Sequence, residues 1–311
     1  MAKYLVTGGA GFIGANLAAA LVRLGHEVRI LDNFSTGLRE NLAVAPDAEV
    51  VEGDVRSYHI VREAVDGVDF VLHQAALPSV PRSVRDPITT SDVNITGTLN
   101  VLNAARDAKV RRLVYASSSS IYGDNSVLPK HEGLAPAPLS PYAVSKLTGE
   151  HYCRVYTTLY GFETVILRYF NVFGPNQNAR SEYAAVIPRF IDRIANGEPP
   201  VVYGDGRQTR DFTFVENVVA ANLAACERDS IQGRVFNVAA GRQVSLLDLV
   251  SALGALMRRE VQPVFNPARP GDVKHSYASI DAARQALGYE PTVDLKDGLA
   301  RMVNGSGSLS S

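Results

Sequence analysis

The stretch that most constrains this chain is Thr7-Gly8-Gly9-Ala10-Gly11-Phe12-Ile13-Gly14. It joins an apolar run, Lys3 to Thr7, to an amphipathic run, Phe12 to Leu24, that stops at Gly25. A strand feeding a helix through G-x-x-G-x-x-G has few physical uses. Gly8 lets the chain turn sharply, Gly11 lets the backbone approach a pyrophosphate, and Gly14 lets helix and strand pack closely. The free N–H groups at the helix start then favour phosphate. Asp32 closes the next apolar run, where a carboxylate binds ribose hydroxyls and repels a 2′-phosphate. No Arg follows it directly, so NAD is expected over NADP. The competing use of such a loop is a tight turn in an unliganded α/β domain.

The rest of the first half keeps this rhythm. Strands are expected at His26 to Leu31, Glu49 to Glu52, Phe70 to His73, Arg112 to Ser117 and Thr164 to Arg168. Long helices are expected at Asp92 to Ala108 and Tyr142 to Tyr160. Alternating apolar strands and helices imply a doubly wound parallel sheet of Rossmann type, covered on both faces. From about Phe173 the rhythm breaks, with helices at Ala184 to Ala195, Glu216 to Cys226 and Leu246 to Met257. The expected division is an NAD-binding domain over 1–172, a smaller C-terminal α/β substrate lobe over 173–303, and a flexible tail over 304–311. Phe212 to Val215 and Arg234 to Val238 are candidates to return to the main sheet. No internal repeat is visible.

Bulk properties narrow the function. The 311 residues carry a formal net charge of -1, so nothing draws the chain as a whole to nucleic acid or anionic lipid. No apolar run is long enough to span a bilayer. The start reads straight into a strand rather than a signal peptide. Two cysteines, Cys153 and Cys226, do not make a disulfide framework and suit a reducing cytoplasm as buried filler. No metal is expected.

Tyr142 and Lys146 form Y-x-x-x-K at the start of a long helix, which puts both on one face. There Lys146, with a positive nicotinamide ring, can lower the Tyr142 pKa so that the phenolate accepts a proton near neutrality. The spacing alone is weak, because the chain has 13 tyrosines. Its position strengthens it: it follows a strand ending in Ser117-Ser118-Ser119-Ser120, where a serine beside a substrate hydroxyl would stand. The bland reading of the four serines is a polar loop.

With these residues the chain resembles the extended short-chain dehydrogenase/reductase family, in particular its UDP-hexose 4-epimerases. The likeness runs to about Val303. It includes LDNFSTG (31–37), GDV (53–55), HQAA (73–76), VNITGTLNVL (93–102), SSSSIYG (117–123), LRYFNVFGP (167–175), GDGRQTRDF (204–212) and RPGDVKHS (269–276). The resemblance implies that Ser118, Tyr142 and Lys146 are catalytic. It implies that Gly8, Gly11, Phe12, Ile13, Gly14, Asp32 and Asn33 hold the cofactor, with Asp54 and Val55 at its adenine. Ala75, Ala76, Asn94 and Tyr169 would lie along it. Asn171, Arg210, Arg269 and Asp272 would bind the diphosphate and ribose of a UDP-sugar, with Val202 and Tyr203 near the base. Forked hydrogen bonds from Arg210 and Arg269 suit a diphosphate, although either Arg could instead serve a surface ion pair. The resemblance also implies a homodimer formed by pairing the helices at 92–108 and 142–160 with their copies.

Related reactions separate on few residues. Relatives that eliminate water carry an Asp-Glu pair where Ser119 and Ser120 stand, and decarboxylating relatives keep the Glu. Glucuronate-handling relatives usually have Thr at Asn171. What remains is inversion at C4 through a 4-keto sugar, with Ser118 and Ser120 at the sugar. The C2 substituent depends on pocket volume. Ser276 and Ala185, beside Val186, resemble small wall residues of N-acetylhexosamine epimerases, which favours UDP-GlcNAc/UDP-GalNAc together with UDP-Glc/UDP-Gal. Pro78 departs from both branches. It is stiff and lacks an N–H, and it leaves open a UDP-glucose/galactose enzyme that rejects acetamido sugars. A non-catalytic NAD sensor on the same fold is a further alternative, against which the intact Ser118, Tyr142 and Lys146 argue.

Overall fold

The computed structural model describes residues 1–178, 185–268 and 274–306. In chain order the first half contains β1 (Lys3–Thr7), α1 (Phe12–Arg23), β2 (Glu27–Asp32), β3 (Glu49–Glu52), α2 (Tyr58–Val65), β4 (Phe70–His73), α3 (Val80–Arg85), α4 (Pro87–Ser91), α5 (Gly97–Asp107), β5 (Arg112–Ser118), α6 (Pro141–Tyr160) and β6 (Glu163–Tyr169). The second half contains β7 (Val172–Phe173), α7 (Val186–Ala195), β8 (Val201–Tyr203), β9 (Thr209–Arg210), β10 (Thr213–Phe214), α8 (Val215–Glu227), β11 (Val235–Val238), β12 (Val244–Ser245), α9 (Leu246–Met257), β13 (Val264–Asn266), α10 (Asp281–Leu287) and α11 (Leu295–Ser306).

Seven strands form one sheet in the order β11-β6-β5-β4-β1-β2-β3, with every pairing parallel. Parallel neighbours need crossovers, and the helices that make them cover both faces. Strand alternation divides the apolar residues between those faces: Tyr4 and Val6 enter one core and Leu5 the other, as Val165 and Leu167 divide from Ile166. A third core lies in the second half, around Phe173, Phe190, Phe212 and Leu253. From β1 the chain first builds outward through β2 and β3, then crosses to β4. That reversal opens a crevice at the carboxyl ends of β1 and β4, where ligands of such sheets bind.

The expected Rossmann-type sheet is present. Of the two candidate returning segments, only Val235–Val238 joins it, beside β6; Thr213–Phe214 pairs with Val172–Phe173 in a separate two-stranded sheet. The helix expected over Asp92 to Ala108 begins instead as a π turn, Asp92–Thr96, and continues as α5. The tail expected from 304 is helical as far as Ser306, and 307–311 lie outside the described residues. Helix α6 has clear local causes. Ser140 caps its start by accepting from the Ala143 N–H, Pro141 occupies the first turn, and Gly161 at φ 65 ends it. Among the described residues no helix is long and apolar enough to cross a membrane.

Candidate active site

A cavity of about 780 Å³ lies along the crevice. One end is the glycine loop. Gly8 has φ +69, and a Cβ on it would come within 2.8 Å of the Ala75 backbone. A Cβ on Gly14 would lie 2.2 Å from the Gly8 carbonyl oxygen. Gly8, Gly11 and Gly14 form its wall, together with Phe12, Ile13, Asn33, Val55, Ala75 and Ala76. Asp32 stands at the tip of β2, where its carboxylate accepts from the N–H of Ala10 at 2.9 Å and of Phe34 at 2.8 Å. Burial raises its pKa against those two bonds. Asp54 is held the other way. Arg56 and Asn33 hydrogen-bond it and bring its pKa down to about 2. The cradle fits a dinucleotide: a loop too tight for a Cβ at Gly8 or Gly14, a helix start above it, and a carboxylate at the neighbouring strand end.

The opposite end holds the candidate chemistry. Ser118 ends β5, Tyr142 lies in the first turn of α6, and Lys146 lies one turn on; all three line the same cavity. The Tyr142 phenol and the Ser118 hydroxyl share a hydrogen bond, and Ser118 Oγ also donates to Ser120 Oγ at 3.1 Å. Burial pushes the Tyr142 pKa up, and the Ser118 bond alone opposes it. The sequence implied that Lys146 would lower it. Instead the Lys146 ammonium is itself depressed to about 8 by burial, and it donates to the Ala116 carbonyl at 2.8 Å.

Other expected residues sort by position. Tyr169, Pro78 and Ser120 line the main cavity. A second cavity of about 290 Å³ adjoins it, and the two share Asn171, Val172 and Ala185. Val186, Tyr203 and Arg210 line this second space, with Arg210 donating to the carbonyls of Thr209 and Lys274. Three expected residues stand away from the walls of both cavities. Asn94 is 1% exposed and stands behind the wall, its amide bonded to Leu77 and Ser145. Val202 is buried in the third core because, on β8, it faces opposite to Val201 and Tyr203. Ser276 is half-buried, donates its N–H to the Thr209 carbonyl, and belongs to the wall of neither cavity. Arg269 and Asp272 lie outside the described residues.

Sequence reasoning missed several participants. Arg189, Arg193 and Gln208 line the second cavity. Arg189 and Arg193 are one turn apart on α7, a spacing visible in the sequence. Asp211 was missed as well. Its buried carboxylate gathers the N–H groups of Ala240, Gly241 and Ala278, and burial pushes its pKa up to about 6. It thereby joins three segments behind Arg210. Asn171, whose side chain donates to the Asp211 carbonyl, has φ 33, a conformation Asn tolerates better than a β-branched residue.

Fold and crevice together define a dinucleotide-binding protein that gathers Ser118, Tyr142 and Lys146 in one cavity. Residues 4–239 match the NAD dependent epimerase/dehydratase family, and the chain belongs to that family, with NAD as its cofactor. It is 37% identical over 306 residues to the UDP-glucose 4-epimerase of Mycolicibacterium smegmatis, covering 97% of each chain. It superimposes with a TM-score of 0.95 on the UDP-N-acetylglucosamine 4-epimerase of Methanobrevibacter ruminantium in complex with UDP-N-acetylmuramic acid, at 36% identity and 99% coverage of both chains. The UDP-glucuronic acid 4-epimerase of Bacillus cereus, in complex with UDP-glucuronic acid and NAD, superimposes with a TM-score of 0.91 at 34% identity, again covering 99% of both chains.

Proposed function

We propose that this enzyme interconverts UDP-GlcNAc with UDP-GalNAc and also UDP-Glc with UDP-Gal. The coarser statement, an NAD-dependent UDP-sugar 4-epimerase and hence an isomerase, rests on relatives that match nearly the whole chain. The observation that carries the sugar assignment is Ala185. This small residue stands where the two cavities meet, so the wall between the nucleotide side and Tyr142 is open rather than filled by a large side chain. Ser120 and Ala76 keep the adjoining wall small. Pro78, in the same wall, supports the second reading, an enzyme restricted to UDP-Glc and UDP-Gal.

When bound, NAD supplies reversible oxidation of the C4 carbinol and a positive charge on its nicotinamide ring. The protein's own residues do the rest. Gly8 to Gly14 and Asp32 hold the cofactor's phosphates and ribose. Tyr142 takes the C4 hydroxyl proton and returns it, with Ser118 sharing the hydrogen bond. Lys146 supplies a fixed positive charge close to the reacting oxygen. Arg210, with Arg189 and Arg193 nearby, anchors the diphosphate, which leaves the 4-keto sugar free to turn over and receive hydrogen on its other face. The purified protein should be incubated with each UDP-hexose in turn, without added NAD, and the products separated. Conversion of UDP-GlcNAc supports the assignment. Conversion of UDP-Glc alone selects the second reading.

A further inference from the structure

Two buried residues behind the cavity wall, His73 and Asn94, belong to one hydrogen-bonded chain whose donors run in one direction. The Ala75 N–H donates to Thr7 Oγ1 at 3.2 Å. Thr7 Oγ1 lies 2.7 Å from His73 Nδ1, and His73 Nε2 lies 2.9 Å from Thr98 Oγ1. Thr98 Oγ1 donates to the Asn94 carbonyl at 2.7 Å. The Asn94 amide donates to Ser145 Oγ at 3.0 Å, and Ser145 Oγ donates to the Tyr142 carbonyl at 2.8 Å. None of Thr7, His73, Thr98, Asn94 and Ser145 is more than 1% exposed.

The proton count assigns the ring. A hydroxyl has one proton to give. Thr98 gives its proton to Asn94, so toward His73 it can only accept. The imidazole hydrogen is therefore on Nε2, and Nδ1 accepts from Thr7. The reverse tautomer would draw the Thr98 proton away from Asn94 and leave Thr7 Oγ1 receiving from both sides. The groups facing the ring are the Tyr115 ring, 5.8 Å away with its hydroxyl beside Thr98, and the Lys146 ammonium. Burial, and secondarily the Lys146 charge, lower the His73 pKa to about 3, so the ring is neutral at working pH.

The ends of this chain are the two halves of the active site. Ala75 is the backbone against which Gly8 closes the cofactor loop, and Tyr142 is the proton-handling residue. We propose that His73 is a positioning residue whose neutral, Nε2-protonated ring ties the cofactor loop to the catalytic helix. Donor and acceptor ends of one flat ring then set the separation between nicotinamide site and phenol, which packing alone would leave looser. The proposal is independent of which sugar the enzyme takes.

The test combines a spectroscopic and a kinetic arm. In the enzyme isolated with its cofactor and labelled with ¹⁵N at its six histidines, the His73 signal is identified by its loss in His73→Gln. A neutral ring protonated at Nε2 and unchanged from about pH 5 to 8 is expected. An Nδ1-protonated ring, or one that titrates near the ordinary histidine value, overturns the proposal. In the kinetic arm Thr98→Val removes the acceptor, His73→Phe removes both ends, and His73→Gln keeps one donor and one acceptor. Thr98→Val and His73→Phe should lower kcat by about tenfold or more through misplacement. KM for the sugar nucleotide should stay within about twofold, and less cofactor should co-purify with His73→Phe. His73→Gln should recover most of the kcat. Parental kcat in Thr98→Val, or a stably folded His73→Gln no more active than His73→Phe, overturns it. If His73→Phe does not fold, the tautomer of the parent enzyme still decides.

Discussion

Lys146 Nζ donates to the carbonyl oxygen of Ala116 at 2.8 Å and sits 5.1 Å from the centre of the Tyr115 ring. Both partners belong to β5, the strand that also carries Ser118. The lysine is thus turned against the strand wall, with its ammonium buried. Holding that charge in a buried place costs stability, and the cost is measurable.

Lys146→Met should stabilise the protein while abolishing turnover. Burial depresses the folded pKa of Lys146 from 10.5 to about 8. A base depressed on folding contributes stability above its unfolded pKa and loses it as pH falls through the folded one. At pH 7 the charged lysine therefore costs roughly 3 kcal/mol, partly offset by its bond to Ala116. On protein stripped of cofactor, the variant should melt a few degrees higher at pH 7, by a margin that narrows toward pH 10. A lower melting point at pH 7 would contradict this.

Tyr142→Phe removes the phenolic oxygen and keeps the ring's packing. Turnover should fall by ~10²-fold or more, while binding of the nucleotide sugar, followed by calorimetry, should change little. Activity within a fewfold of the parent would assign proton transfer to another group.

Glu150→Gln tests the support behind the site. Glu150 and Arg168 form a forked ion pair at 2.8 and 2.7 Å with both side chains buried, and Ser117 Oγ donates to the same carboxylate at 2.5 Å. Removing the negative charge leaves Arg168 charged and poorly matched, at a cost of about 3–5 kcal/mol. Denaturant unfolding should show that loss. A loss under about 1 kcal/mol would mean that water or Tyr122, which accepts from Arg168 at 2.8 Å, replaces the carboxylate.

Ala185→Leu tests the sugar assignment. Filling the junction of the cavities should cost the acetamido substrates ~1–3 kcal/mol more than the hydroxyl ones. That corresponds to roughly a 5- to 150-fold change in the ratio of kcat/KM for UDP-GalNAc to that for UDP-Gal. An unchanged ratio would remove Ala185 from the specificity wall.

Assembly offers a further test. Val84 on α3, Ile88 on α4, and Val144, Val155 and Leu159 on α6 are exposed apolar residues. They add to the reading that α6 pairs with its copy in a dimer. Sedimentation at micromolar concentration should give twice the chain mass, and Leu159→Lys should shift the equilibrium toward the monomer.

The main sheet was legible because its strands are apolar, short and separated by glycine or polar turns. The glycine loop, Asp32, Ser118, Tyr142 and Lys146 fall where local spacing and a parallel sheet put them, and they line one cavity. Side-chain direction was harder to read. Alternation along Val201-Val202-Tyr203 could have turned Val202 away from the cavity, but a three-residue strand gives little pattern to count. The π turn over Asp92–Thr96 has no sequence signature. It carries Asn94, whose amide bonds Leu77 and Ser145. Asp211 stayed hidden because its partners, Ala240, Gly241 and Ala278, come from distant segments.

The seventh strand has a consequence for protein engineering. Val235–Val238 completes the sheet beside β6 after the chain has left it to build much of the other half. A fragment cut after residue 172 would keep every cofactor-loop glycine yet leave β6 as a raw edge. Its hydrogen-bonding groups and the buried ring site of Phe236 would face water. Such a fragment should self-associate, so any exchange of specificity lobes between relatives must carry Val235–Val238 with the nucleotide half and splice at two junctions.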